Sequence, residues 1–99
     1  MKTIIKTSQA PAPIGPYSQA VLSGNTLYTS GQIAINPETG NLVMNSIEEE
    51  THQVMNNMKA VLAEADMTFN NVIKTSIFIS DMDNFGRINE IYGQYFTAD

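Results

Sequence analysis

Three observations predict an α+β fold in which two helices cover one face of a sheet. Runs rich in β-branched and aromatic residues occupy 19–35 and 72–79, bounded by turn-forming residues. A stretch beginning at Ser46 carries apolar residues at three-and-four spacing behind a capping signature. A second amphipathic stretch follows Asp81. The order is strands, helix, strand, helix, without repeat, low-complexity tract or linker, so residues 1–99 read as one domain.

Each element has a local cause. After a short apolar start at Ile4 and Ile5, an opening loop runs from Ser8 to about Ser18. Pro11, Pro13 and Pro16 fix φ, remove three backbone donors and push their predecessors toward extended geometry, which excludes helix. Residues 26–35 then predict a strand, with Ser23, Gly24 and Asn25 as the turn and 19–22 as the other arm of a hairpin. A second turn falls at Asn36, Pro37, Glu38, Thr39 and Gly40, followed by the apolar run Leu42, Val43, Met44.

Ser46 stands three residues before Glu49, the spacing of a capping box. Glu48, Glu49 and Glu50 occupy the first turn, where the helix dipole favours negative charge. Ile47, Val54, Met55, Met58, Val61, Leu62 and Ala65 form the expected buried face, and Asp66 takes the place where a left-handed residue ends a helix. Residues 72–79 predict a central strand. Asp81, Met82 and Asp83 cap a second helix expected to carry Phe85, Ile88, Tyr92, Tyr95 and Phe96 on one face.

The totals exclude several functions. A chain of 99 residues buries only about 60–65% of its unfolded surface, so association between subunits would add needed stability. No window approaches the ~18 apolar residues of a membrane span, and the first residues carry no apolar core of a signal peptide. The absence of cysteine removes disulfides, thiolate metal sites and cysteine nucleophiles, and it suits a reducing, cytoplasmic setting. Net charge is −5, and the cations Lys2, Lys6, Lys59, Lys74 and Arg87 are scattered. Phosphate-tracking nucleic-acid binding draws its affinity from clustered cations and is not expected.

The lone histidine, His52, lies about 140° around the helix from Ile47, on the expected solvent side, and no metal site is predicted. No phosphate loop, Walker sequence or nucleophile elbow occurs. What remains is Tyr17 behind the stiffened loop, Ser30 and Gly31 interrupting a strand, and Asn89 beside the apolar face of the second helix. Read from residue types alone, these are equally a half-buried anchor, a satisfied strand serine, a bulge glycine and a surface amide. A strand glycine also marks close approach of a ligand or backbone.

Gly15-Pro16-Tyr17-Ser18-Gln19-Ala20 resembles the opening motif of the Rid family, the reactive-intermediate imine deaminases also called YjgF or L-PSP proteins. Thr29-Ser30-Gly31-Gln32-Ile33, then Asn36-Pro37-Glu38-Thr39-Gly40, Val72-Ile73-Lys74-Thr75, Asn84-Phe85 and Asn89-Glu90-Ile91-Tyr92 continue the likeness across the chain. The resemblance implies a chorismate-mutase-like sheet, a homotrimeric barrel and clefts between neighbouring subunits. It implies hydrolysis of enamines and imines such as 2-aminoacrylate, 2-iminobutanoate and 2-iminopropanoate to 2-keto acids and ammonia, without metal or organic cofactor. The intermediates would come from pyridoxal-phosphate-dependent dehydratases. By position Tyr17, Ser30, Gly31 and Asn89 match residues lining that cleft: Tyr17 and Ser30 in catalytic roles, Gly31 and Asn89 in substrate binding.

Family members continue into further strands bearing an arginine, suited to clamping a carboxylate, and a glutamate, suited to activating water. Neither has a counterpart here, and Arg87 reads as an exposed helix residue. A chain of these 99 residues alone is therefore expected to expose a sheet edge and to be unstable, inactive or abnormally assembled. The rival function is a non-catalytic trimeric module binding small metabolites or proteins through the same clefts; ribonuclease and translation-inhibitor roles are disfavoured by charge.

Overall fold

Gly24 adopts φ 59°, and with Asn25 it turns the chain between two four-residue strands, Ala20–Ser23 (β2) and Thr26–Thr29 (β3). The computed structural model describes residues 2–13, 18–72 and 82–96. Lys2–Ile5 forms β1, which pairs antiparallel with β2 so that Ile4 lies opposite Val21 and Ile5 opposite Ala20. On the other side of β2, Val21 faces Tyr28 and Leu22 faces Leu27. The sheet order is β1-β2-β3. The α+β class is as expected; β1 extends what was read only as an apolar start.

Because side chains alternate across a strand, the register sorts the sheet into two faces. Ile5, Ala20, Leu22 and Leu27 turn toward Ile47–Glu64 (α1), where they meet Val61, Ala60 and Ala65. Ile4, Val21 and Tyr28 form a row on the opposite face, and Tyr28 is 66% exposed.

The first helix follows its local code. Ser46 Oγ accepts from the Glu49 amide at 3.1 Å. At the other end Asp66 takes φ 58°, and the amides of Asp66 and Met67 donate to Ala63 and Leu62 oxygens, closing a Schellman motif without glycine. Met55, Val61 and Leu62 are buried as the spacing predicts. Thr51 is buried too, its hydroxyl donating to the Ile47 carbonyl at 2.7 Å.

Three expectations change. The strand predicted over 26–35 leaves the ladder after Thr29. Beyond it the Ile33 and Ile35 carbonyls accept from the side chain of Asn57 on α1, at 3.0 and 2.9 Å, in place of a neighbouring strand. The Asn36 turn nevertheless forms, returning Leu42 to an isolated bridge with Ile35. Second, His52 is half-buried rather than solvated: its Nδ1 lies 2.6 Å from the Tyr95 hydroxyl. The helix wheel assumed one apolar partner, whereas α1 is flanked by the sheet and by Phe85–Tyr95 (α2). Third, Phe85 at the start of α2 is 51% exposed and Ile91 is the buried residue of that helix. Apart from Val72, the strand expected at 72–79 lies outside the described residues, as does Asp81.

Around Tyr95 the aromatics pack edge to face, Phe69 meeting both Tyr95 and Phe96 with ring centres 5.5 and 5.1 Å apart. Burial raises the Tyr95 phenol above its ordinary pKa. Glu48 and Arg87 tie the opposite ends, with Nε to Oε2 at 2.7 Å and the second guanidinium nitrogen to Oε1 at 2.6 Å. Glu48 meets Arg87 and His52 meets Tyr95, so position advances together along both helices and they run in the same sense.

The Arg87 hydrogen bonds, aided by a backbone bond, hold the Glu48 carboxyl at about 2 against an ordinary 4.5. Its folded value is depressed, so the pair's contribution is complete above 4.5 and is lost as pH falls toward 2. Carboxyl NMR should place the Glu48 midpoint near 2, and Arg87→Gln should raise it toward the ordinary carboxylate range, short of a full return because the backbone bond remains. A wild-type midpoint at 4 would disprove the fork in solution. Among the described residues, no helix is long and apolar enough to cross a membrane.

Candidate functional site

Where β3 ends, Ser30 and Gly31 form one side of an open concavity that continues through Gln32, Ile33 and Ile35. Residues 11–13 of the opening loop form the other side, and Gln19 joins the two. The proline-rich loop is short of amide donors for its own carbonyls. Gln19 supplies them. Its Nε2 lies within hydrogen-bond reach of the Thr7, Ala10 and Pro11 oxygens, at 3.0, 3.2 and 2.9 Å, while Oε1 accepts from the Thr7 amide at 2.6 Å. The Gln19 backbone oxygen accepts from the Ser30 amide at 2.9 Å.

Ser30 is half-buried, and its hydroxyl donates to the Ser18 carbonyl. A carbonyl can only accept, so the hydroxyl proton is committed there, and what Ser30 Oγ has left for a ligand is acceptor capacity. Gly31 is exposed, with no atom of the described residues within 4 Å of where a Cβ would stand. Among the described residues no other backbone approaches it closely, and its position beyond the ladder is not a bulge within it.

Of the four expected site residues, the structure brings Ser30 and Gly31 together. Asn89 is exposed on α2 and does not line this concavity within one protomer. Tyr17 lies outside the described residues. Arg87 is an exposed helix residue, as expected, occupied by Glu48. Residue-type reading missed Gln19 and Asn57, both buried. A signal existed for each: a carboxamide closing a run short of backbone donors, and an asparagine one turn before the buried Val61.

A family model described as endoribonuclease L-PSP matches residues 7–99. The chain belongs to this family, the Rid proteins. A RutC family protein of Pyrococcus horikoshii is 48% identical over 96 residues, covering 97% of this Rid chain and 76% of that protein. The mouse protein named 2-iminobutanoate/2-iminopropanoate deaminase is 46% identical over 98 residues, covering 99% of the chain and 73% of its own length. The crystal structure of a conserved Rid family protein, YyfA of Yersinia pestis, superimposes with a TM-score of 0.94 at 50% identity, covering 97% of this chain and 76% of that one.

Proposed function

We propose that this Rid protein hydrolyses imines and enamines of short 2-keto acids, 2-iminobutanoate, 2-iminopropanoate and 2-aminoacrylate among them, in clefts of a homotrimer. The observation that carries the reading is the deaminase-named mouse relative, 46% identical across nearly the whole chain. Association between copies is supported by the row Ile4, Val21, Tyr28 on the outer sheet face, an apolar surface suited to burial against another copy, and the family resemblance makes that assembly a trimer.

The reaction is R–C(=NH2⁺)–COO⁻ + H2O → R–CO–COO⁻ + NH4⁺. Water adds to the electrophilic carbon, and the C–N bond of the resulting carbinolamine breaks as nitrogen leaves with a proton. This needs positioning and proton transfer, which side chains supply. Ser30 Oγ, its own proton held by Ser18, accepts from the iminium N–H and keeps the nitrogen charged. The Gly31 amide, which has no hydrogen-bond partner among the described residues, binds the substrate carboxylate. Tyr17 holds the attacking water, and Asn89 reaches the cleft of a neighbouring subunit. No cofactor enters.

Pyridoxal-phosphate-dependent dehydratases release such imines, so the protein would act beside them in a reducing, cytoplasmic compartment. Five cations against ten acidic residues, with Arg87 bound by Glu48, weigh against RNA. The test feeds threonine to a dehydratase and follows 2-ketobutyrate release with and without the full-length protein. Catalytic amounts should accelerate release. Binding of the keto acid without acceleration would make the protein a metabolite-binding module instead.

A further inference from the structure

We propose that Gln19 is a positioning residue that sets the width of the concavity between residues 11–13 and Ser30–Gly31. The inference rests on reading that concavity as the substrate site. Its physical basis lies in how the two sides are held. Neither residues 11–13 nor residues 30–33 belong to a strand, so no ladder fixes their separation. Gln19 connects them through a single residue. Its side chain contacts the loop through the Thr7 amide and the Thr7, Ala10 and Pro11 carbonyls, and its backbone oxygen takes the Ser30 amide.

The connection is stiff because Gln19 is only 3% exposed. Water cannot readily replace a carboxamide at that depth, and a displaced loop would leave the buried Ala10 carbonyl unpaired. Ala20, the next residue, is 1% exposed in β2 opposite Ile5 and Thr29, which anchors the backbone from which the side chain extends. Rigidity is thus carried from the sheet, through one side chain, to a loop whose prolines cannot provide the same bonds. Asn57 does the equivalent for the far end of the opposite side, at Ile33 and Ile35.

A wall held this way controls how closely apolar substrate carbons are gripped while the carbon under attack stays at Ser30. The loss should fall on binding. Gln19→Met keeps the length and apolar body of the side chain and removes every polar contact to the loop, while the backbone bond to Ser30 remains. In crystal structures of the full-length protein, residues 11–13 should move from Ser30 by about 1 Å or more, a misplacement large enough to change how the substrate is held. KM for 2-iminobutanoate should rise about tenfold or more with kcat within about threefold, because a displaced wall weakens binding on this side. A purely structural role would lower the active fraction, hence kcat, and leave KM unchanged.

An unmoved wall, or an unchanged KM, overturns the proposal. If the wild-type protein does not hydrolyse imines, the function reading fails and the crystallographic displacement alone decides Gln19. Should the methionine variant not fold, Gln19→Glu is read in the same two ways, since it keeps the acceptor for Thr7 and loses the donor to three carbonyls.

Discussion

Replacing Asn57 by leucine is expected to destabilise the fold by about 2–3 kcal/mol, a drop in Tm of roughly 10–20 °C for a domain of this size. Asn57 is 1% exposed, with Nδ2 donating to two carbonyls and Oδ1 accepting from Gln53 at 2.8 Å. Leucine fits the volume and loses all three bonds. The Ile33 and Ile35 carbonyls then turn to water, and the segment after β3 loses its tie to α1. Urea unfolding measures the effect. A loss below about 0.5 kcal/mol would mean the segment is held by other contacts.

Asn57→Asp sharpens the test. An aspartate there sets a carboxylate against two carbonyl oxygens, so its folded pKa is raised above the unfolded value of about 3.9. The variant's stability relative to wild type is therefore greatest below about 4 and is lost as pH rises through the folded value. The gap between the two proteins should be wider at pH 7 than at pH 4. A gap that does not widen would show that Asn57 contributes shape alone.

The parts legible in the sequence are those whose cause is local. Ser46 and Glu49 are three residues apart, Gly24 sits in its turn, and Asp66 ends α1 within the segment it terminates. Asn57 and Gln19 are different: each is a polar residue buried by partners 8–24 positions away. Composition rules assign such residues to the surface, and only the tertiary arrangement reveals what they satisfy. His52 failed for a related reason, since a wheel read with one partner cannot show that a second helix covers its flank. In the candidate site, resemblance singled out Ser30 and Gly31. Gln19 stood in the same quoted string, and its role became visible only with the loop folded over it. The direction of the Ser30 proton is likewise tertiary, set by a carbonyl twelve residues earlier.

That direction gives the second large expected effect. Ser30→Ala should lower kcat/KM for 2-iminobutanoate by about 10²-fold, the scale for removing one preorganised electrostatic partner. Two roles for the hydroxyl would produce that fall. If Ser30 bound the carboxylate as a donor, its proton would have to leave the Ser18 carbonyl, and the product keto acid, which keeps the carboxylate, would lose affinity in parallel. If Ser30 accepts from the iminium N–H, the keto acid has no such proton to offer. Its affinity in Ser30→Ala should then stay within about twofold of wild type, while turnover of the imine collapses. Isothermal titration with 2-ketobutyrate beside the coupled assay separates the cases. Parallel losses would reassign Ser30 to the carboxylate; loss of neither would remove it from the site. The acceptor role also favours the protonated imine over the uncharged keto group that replaces it in the product, so the group that assists attack does not retain the product.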